Sequence, residues 1–172
     1  MATFDTKSIR NLALLGHGAC GKTSLTEAML FLAGETQRLG KVADGNTVSD
    51  FDTEEQKRGF SISASVANLT WKNIKVNIID TPGYPDFAGE VRQALRVAGS
   101  AVIVVDGKSG VEVGTDLAYQ AATDAGVPKV SLSTSATITT ITSTPRSAPS
   151  ASISVTPSAP SLSPTVRMTR LL

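Results

Sequence analysis

The chain has 172 residues with 16 basic and 15 acidic side chains, so its formal net charge is +1. This balance gives no electrostatic reason to expect direct DNA binding or a membrane-surface protein. One cysteine excludes a disulfide scaffold, and with one histidine it cannot make a multi-ligand zinc site. The N-terminal segment lacks an apolar signal-peptide core, and the longest apolar run, 101–105, is far shorter than the roughly 20 residues of a membrane helix. We therefore expect a soluble, cytoplasmic, monomeric protein with no membrane partner.

Composition divides the chain near residue 130. Residues 1–130 hold all 15 acidic side chains and all 14 glycines, whereas 29 of the 42 positions in 131–172 are Ser, Thr, Pro or Ala. The second part is too poor in large apolar groups to offset the entropy cost of ordering. We predict a globular domain over 1–130 and an irregular, low-complexity tail over 131–172.

Strand-like and helix-like patterns alternate along the first half of the globular part. The apolar run 9–15 ends at a glycine and is typical of a buried strand. Four apolar residues then recur at helical spacing and predict a helix: Leu25, Ala28, Met29 and Leu32. The helix is expected to end at Gly34. The polar stretch 35–59 has little periodicity, and its length predicts a functional loop.

The second half continues this alternation. Alternating apolar residues in 62–66 and 74–78 predict two strands joined by a turn at 72–73. Later patterns predict a helix over 87–98, a buried strand over 101–105, a helix over 115–125 and a new strand from 127. Strands that alternate with helices predict an α/β fold with a mostly parallel sheet, here carried as far as its fourth or fifth strand.

A phosphate-binding pattern follows the first strand. The segment GHGACGKT at 16–23 matches G-x-x-x-x-G-K-[ST] between a predicted strand and a predicted helix. Backbone N–H groups of such a loop and the helix N-terminus cradle phosphates, Lys22 bridges the β- and γ-phosphates, and the Thr23 hydroxyl binds Mg²⁺. A chance glycine-rich turn is the disfavoured alternative. The predicted nucleotide-binding residues of this segment are Gly16, His17, Gly18, Ala19, Cys20, Gly21, Lys22, Thr23 and Ser24.

Two later segments complete the predicted site. Asp80 closes the strand 74–79, where a carboxylate can hold Mg²⁺ through water, and the Gly83 N–H can contact a γ-phosphate. By itself this segment would be an ordinary Pro-Gly turn. The hydroxyl of Ser61, just ahead of the next strand, can complete the Mg²⁺ shell, although a solvated basic turn fits equally well. The predicted metal ligands are thus Thr23, Ser61 and Asp80.

Two groups of side chains have competing interpretations. The carboxylates of Asp50, Asp52, Glu54 and Glu55 fit either general acid–base chemistry or a solvated loop of mixed charge, and the loop is favoured. Cys20 fits either a redox switch beside the phosphates or a small buried side chain, and burial is favoured.

Three segments together resemble the first three nucleotide motifs of translational GTPases, most closely elongation factor G and elongation-factor-G-like proteins. They are GHGACGKTSL, KRGFSIS and the run from IIDTPGY to VEVGT. The resemblance extends over residues 8–130. It implies a P-loop domain that binds GTP or GDP with Mg²⁺, hydrolyses GTP, acts on the ribosome through domains outside this chain, and has switch regions at 35–62 and 81–97.

The sequence departs from that family at several positions. Ala19 stands where an aspartate is common, Ser61 where a threonine is usual, and Tyr84 where most members carry the histidine that orients the attacking water. A phenol can hydrogen-bond to water, but its pKa near 10 and its longer reach mean that it would act on the water differently from a histidine. Tyr84 and Lys22 are the predicted catalytic residues. The alternatives are a nucleotide-binding module without turnover, a ribosome-protection or release-factor type of GTPase, and, less favoured, a P-loop ATPase or kinase.

The greatest departure lies after residue 130. The family continues there through a strand into N-K-x-D, the loop that reads guanine, whereas this chain continues SLSTSATITT. Shifting the reading frame by one base near codon 130 can recover F-I-V-N-K-C-D over 131–137. We therefore hypothesise that 131–172 is a shifted-frame peptide, with a Ser/Thr/Pro-rich linker or natural truncation as the alternative. Residues 130–141 are expected to cover the open edge of strand 101–105.

Overall fold

The computed structural model describes residues 4–49 and 52–134. The main elements in chain order are β1 (Ile9–Gly16), α1 (Lys22–Ala33), α2 (Thr53–Arg58), β2 (Ser65–Trp71), β3 (Ile74–Asp80), α3 (Ala88–Val97), β4 (Ser100–Asp106), α4 (Val113–Asp124) and β5 (Lys129–Thr134). Short 3-10 turns lie at Thr6–Ser8, Val42–Asp44 and Pro85–Phe87. Within these ranges no helix is both long and apolar enough to cross a membrane.

The strands form one sheet in the order β2-β3-β1-β4-β5. The contacts of β1 with β3 and β4 are parallel, as is that of β4 with β5, and only the β2–β3 hairpin is antiparallel. The predicted α/β fold with a mostly parallel sheet is confirmed, and the sheet has five strands in the described residues. Parallel strands have their carboxyl ends at one edge of the sheet, so the loops that leave β1, β3 and β4 meet there.

The sheet is covered on both faces, as expected for parallel strands. Ala13 and Leu15 of β1 face a cluster that includes Leu95 of α3 and residues of α4, while Leu14 faces α1 and Leu30. This alternation explains why β1 reads as a continuous apolar run, because a strand buried on both faces has no polar side.

Helix α1 ends at Gly34 as predicted, with φ 79°, and Leu25 and Met29 of the predicted apolar face pack against the core cluster of Leu14, whereas the rest of that face is less buried than predicted. The helix begins at Lys22, and Leu32 is 75% exposed. Thr26 and Glu27 are buried instead, because the Glu27 carboxylate is surrounded by backbone N–H groups of the following loop.

The segment predicted as a loop, 35–59, contains the helix α2. The Asp52 side chain accepts a hydrogen bond from the backbone N–H of Glu54, and Gly59 ends the helix with φ 69°. The predicted turn of the hairpin is confirmed, since Lys72 and Asn73 both have positive φ, 49° and 63°, as a two-residue turn requires. Strand β2 begins only at Ser65.

The final strand passes the boundary predicted near residue 130. Strand β5 pairs with β4 from Lys129 through Thr134, so residues 131–134, predicted to be irregular, are extended. The expected covering of the open edge of strand 101–105 is confirmed for residues 130–134. The open edge of β4 offers a row of backbone donors and acceptors, and this pairing overrides the weak apolar content of the segment. Residues 135–172, the rest of the predicted tail, lie outside the described residues.

Candidate functional site

The loops that follow β1 and β3, and the ends of β1 and β4, approach one another closely at the carboxyl edge of the sheet. A Cβ placed on Gly83, after β3, would lie 2.5 Å from the backbone of His17 and of Gly18. One placed on Gly16 would lie 2.3 Å from the carbonyl oxygen of Val104 in β4. Real Cβ atoms do not approach other atoms so closely, so glycine is required at both positions.

The loop 16–21 turns sharply before α1 begins. Positive φ angles occur at Gly16 (141°), Ala19 (60°) and Gly21 (98°). An alanine in this region carries a strain of about 1–3 kcal/mol, which the surrounding structure must offset. Helix α1 starts directly behind the loop at Lys22, and the first N–H groups of a helix have no intrahelical partner. The arrangement suits an anion.

The Lys22 side chain folds back over this loop and is only 6% exposed. Its ammonium donates to the carbonyl oxygens of His17 at 2.7 Å and Gly16 at 3.2 Å, and lies 3.7 Å from the Cys20 sulfur. Sulfur is a weak acceptor, so one of the three ammonium donors is available to a stronger one. Lys22 therefore places positive charge at the loop with a donor for an oxyanion.

Cys20 is buried, as the favoured interpretation predicted. Burial raises the pKa of its thiol, and the neighbouring Lys22 ammonium offsets only part of that effect. Because the thiolate is the reactive form, this environment disfavours the redox switch.

The three predicted metal ligands come together from three separate segments. The Thr23 hydroxyl donates to Asp80 Oδ2 at 2.8 Å and lies 3.4 Å from the Ser61 hydroxyl oxygen. Thr23 and Asp80 are buried. Two hydroxyls and one carboxylate form an oxygen donor set, which is the ligand type that Mg²⁺ prefers.

Tyr84 lies between the loop 16–21 and the segment before β2. Its ring makes an edge-type contact with the Phe60 ring at a centroid distance of 4.7 Å, and its centroid lies 6.2 Å from that of the His17 ring. A Cβ added to Gly18 would lie 2.7 Å from the tip of the tyrosine ring. Tyr84 thus lies directly against the phosphate-binding pattern.

His17 links the loop to the start of α4. Its Nδ1 accepts from the backbone N–H of Gly114 at 3.3 Å, and its Nε2 lies 3.6 Å from a carboxylate oxygen of Glu112. With Nδ1 as acceptor, the proton of a neutral imidazole is on Nε2 and points to Glu112. Sequence reasoning placed His17 in the loop but missed this contact, because His17 and Glu112 are far apart in the chain.

A cleft of about 200 Å³ opens over these groups. Nine of the predicted site residues line it: Gly18, Ala19, Gly21, Lys22, Thr23, Ser24, Ser61, Gly83 and Tyr84. Gly16, His17, Cys20 and Asp80 do not line it but contact residues that do. Small-molecule pockets typically measure about 300–1,000 Å³, so the cleft matches the phosphate end of a nucleotide rather than a whole one.

Three buried or half-buried glutamates organise the segments 40–49 and 52–64 through backbone hydrogen bonds, and sequence reasoning missed this function. Glu27 accepts from the backbone N–H of Gly40 and Val48. Glu55 accepts from the N–H groups of residues 62 and 63, and Glu90 from that of residue 64. No local pattern signalled Glu27, because it lies on the side of α1 opposite the predicted apolar residues.

These contacts also explain most of the acidic group at 50–55. Asp52 caps α2, and Glu54 forms exposed ion pairs with Lys57 and Arg58. Glu55 is buried and structural, so within the described residues this group shows no paired carboxylates facing the cleft. Asp50 lies outside the described residues.

The end of β5 reaches the phosphate-binding loop. The Thr134 hydroxyl lies 3.3 Å from the carbonyl oxygen of Cys20 and 3.2 Å from that of Val105. In the shifted reading frame, position 134 belongs to the asparagine of N-K-x-D. Residue 134, which is a threonine in this chain, therefore lies next to the loop 16–21.

Comparison with known proteins gives concordant matches. Residues 7–134 match the family model for the elongation factor Tu GTP-binding domain. The mitochondrial ribosome-releasing factor 2 of Scheffersomyces stipitis is 43% identical over 121 residues, which is 70% of this chain and 14% of that protein. Elongation factor G 2 of Streptomyces coelicolor is 43% identical over 130 residues, 76% of this chain and 19% of that one.

A solved structure agrees with these sequences. A protein of Thermus thermophilus, known from its crystal structure, superposes with a TM-score of 0.71 at 39% identity, covering 73% of this chain and 19% of its own. The chain therefore spans less than a fifth of the length of each of these three proteins.

Proposed function

The chain belongs to the family of elongation factor Tu GTP-binding domains, and we propose that it binds and hydrolyses GTP as part of an elongation-factor-G-like factor that acts on the ribosome. The predicted resemblance to elongation factor G is confirmed by the matched relatives. The observation that carries the proposal is the convergence of Thr23, Ser61 and Asp80 beside the Lys22 ammonium. The predicted cytoplasmic location stays a prediction, since one relative is mitochondrial by name.

Magnesium fits the residues that are present. Thr23, Ser61 and Asp80 offer oxygen donors within one small region. Mg²⁺ usually takes one or two carboxylates and substrate phosphates and keeps several waters, so a single carboxylate with two hydroxyls is a suitable set. When bound, the ion neutralises charge on the phosphate oxygens. We propose Thr23 and Ser61 as direct ligands and Asp80 as a partner through water.

The chain's own residues would then supply the rest of the catalytic arrangement. The loop 16–21 and the start of α1 hold the phosphates through backbone N–H groups. Lys22, already aimed over the loop, stabilises negative charge on the β- and γ-phosphates. Gly83 brings its backbone against the loop, where its N–H can contact the γ-phosphate. Tyr84 lines the cleft and would orient the attacking water through its hydroxyl.

Recognition of guanine is a separate matter from recognition of phosphates. Residues 131–172 contain no asparagine and no acidic residue, so N-K-x-D is absent there. We propose that the phosphate end is held normally while this chain separates GTP from ATP poorly. Strong preference for GTP would refute that statement and leave the phosphate site intact.

Titration of the full chain with fluorescent GTP and ATP, with and without Mg²⁺, tests the proposal. Lys22→Ala should abolish binding because it removes the buried cation of the loop. Lys7→Ala is the matched control, since Lys7 is exposed at the opposite end of β1. Unchanged affinity in Lys22→Ala would overturn the phosphate-loop assignment.

The rival function, nucleotide binding without turnover, is favoured by Tyr84 in place of a histidine. Single-turnover hydrolysis with bound GTP separates the two functions. Loss of turnover in Tyr84→Phe supports the catalytic assignment, whereas binding with no hydrolysis in the unaltered chain supports the rival.

A further inference from the structure

The backbone that carries the Ser61 hydroxyl is held by a buried carboxylate. The segment 59–64 lies between α2 and β2, outside both elements, so neither helix nor strand pairing fixes it. Glu55 of α2 is 5% exposed, and its Oε1 accepts from the backbone N–H groups of Ile62 at 2.8 Å and Ser63 at 3.1 Å. Hydrogen bonds to a charged acceptor are roughly twice as strong as neutral ones. Glu55 therefore restrains the two residues that follow Ser61.

A second carboxylate reaches the same segment from a distant element. Glu90 of α3 is half-buried, and its Oε2 accepts from the backbone N–H of Ala64 at 2.9 Å. Glu90 follows Ala64 by 26 residues, whereas Glu55 precedes Ile62 by only 7. Three consecutive N–H groups are thus bound by carboxylates that belong to two separate helices.

The placement of the Ser61 hydroxyl depends on this restraint. The peptide group between Ser61 and Ile62 is planar, so the bound N–H of Ile62 and the Cα of Ser61 belong to one rigid unit. A serine side chain lacks the branching that restricts χ1 in threonine, and it is too short to compensate for a displaced backbone. Mg²⁺ holds its ligands at about 2.0–2.1 Å in near-ideal octahedral geometry. The hydroxyl meets that demand only where its backbone is fixed.

We propose that Glu55 and Glu90 are positioning residues that hold the Ser61 hydroxyl where a Mg²⁺ ion beside Thr23 needs it. The two hydroxyl oxygens lie 3.4 Å apart. Neither carboxylate lines the cleft, so each acts through the backbone of residues 62–64 and not on the ion. The proposal rests on the proposed binding of nucleotide and Mg²⁺ for its functional consequence, while the restraint itself can be tested on the chain alone.

Amide hydrogen exchange of the full chain without nucleotide, resolved by NMR, tests the restraint. Glu90→Ala should speed exchange at Ala64 by about tenfold or more, the factor that corresponds to one lost hydrogen bond to a charged group. Glu90→Gln keeps an acceptor oxygen of the same reach and should recover most of the protection. Glu35→Ala is the matched control, since Glu35 accepts from the backbone N–H of Thr70 at the opposite end of β2. Unchanged exchange at Ala64 in Glu90→Ala would refute the restraint.

Mg²⁺ titration of the full chain with a fluorescent, non-hydrolysable GTP analogue tests the consequence for the metal. Loss of an outer partner of a metal ligand typically costs about 10–100-fold in affinity, so Glu90→Ala should raise the Mg²⁺ concentration at half-saturation at least about tenfold. Glu90→Gln should restore most of the affinity, because the acceptor oxygen and not the charge positions Ser61. If Glu90→Gln is as weak as Glu90→Ala, the charge acts on the ion directly and the positioning role is wrong.

A double-mutant cycle identifies the route of the effect. Ser61→Ala removes the ligand itself and should lower Mg²⁺ affinity at least as much as Glu90→Ala does. Because Glu90 acts through the Ser61 hydroxyl, adding Glu90→Ala to Ser61→Ala should cause no further loss. Additive losses would mean that Glu90 affects the metal by another route, and would overturn the proposal.

Glu55 calls for a milder variant because it is buried. Glu55→Asp keeps the charge and withdraws the acceptor by one methylene group, so exchange at Ile62 and Ser63 should accelerate and Mg²⁺ affinity should fall. Unchanged exchange at both amides would remove Glu55 from the proposal. Should Glu90→Ala not fold, as judged by circular dichroism, Glu90→Asp carries its measurements for the same reason.

The possible failures are distinguishable. If the unaltered chain binds no nucleotide with Mg²⁺, the proposed function fails, and the metal-positioning role of Glu55 and Glu90 fails with it. If the unaltered chain binds both and Glu90→Ala matches Glu35→Ala in Mg²⁺ affinity, the proposed function stands and the positioning role alone is refuted.

Discussion

Replacement of Glu27 by glutamine tests how the segment 40–49 is held to the domain. Glu27 is 1% exposed, and its two carboxylate oxygens accept backbone hydrogen bonds from Gly40 at 3.1 Å and Val48 at 2.6 Å. Glutamine keeps one acceptor and turns an amide N–H₂ toward the other donor. Since a hydrogen bond to a charged group contributes about 1.5–3 kcal/mol, we expect the free energy of unfolding to fall by about 2–3 kcal/mol.

Urea unfolding followed by circular dichroism measures this loss, and an unchanged m-value identifies it as a change in stability. Glu54→Gln is the matched control, because its ion pairs are exposed and should contribute less than about 1 kcal/mol. Trypsin cleavage at Arg38 and Lys41 should accelerate in Glu27→Gln alone. Equal stability of the two variants, with equal cleavage rates, would refute the anchoring role of Glu27.

Three further variants or reactions probe the site. Gly83→Ala should lower affinity for fluorescent GTP markedly, because its Cβ would meet the His17 backbone at 2.5 Å and force the two loops apart; wild-type affinity would contradict this. Thr23→Val should remove the Mg²⁺ dependence of GTP binding, whereas Thr70→Val, exposed on β2, should preserve it. Cys20 should react with a thiol reagent in mildly alkaline buffer far more slowly in the native chain than in urea. Burial raises the pKa of the Cys20 thiol, so the contribution of the neutral thiol to the stability of the fold is lost as pH rises and the thiolate forms. Equal reaction rates in the native chain and in urea would refute the burial of a raised-pKa thiol.

Local patterns were sufficient where a feature is contiguous in the chain. The phosphate-binding pattern at 16–23, the end of α1 at Gly34 and the turn at 72–73 each depend on neighbouring residues and on backbone conformations that few residue types adopt. The alternation of strands with helices determined the parallel sheet for the same reason, since apolar periodicity is a local property.

Boundaries and burial were less predictable, because partners distant in sequence decide them. Leu32 fits the apolar face of α1 by spacing but is exposed, while Glu27 is buried by loop N–H groups that follow it by 13 and 21 residues. Composition predicts the end of the globular domain near residue 130, yet pairing with β4 carries β5 to Thr134.

The sequence by itself determined the family, the sheet and the residue types that meet phosphate and magnesium, because those requirements are written in short motifs. Only the tertiary structure decided how the motifs are supported. It brings Ser61 to 3.4 Å from Thr23 across 38 residues, and it places Tyr84 on the bare backbone of Gly18. Such contacts depend on the mutual placement of separate loops at the sheet edge, and no local pattern in either loop specifies that placement.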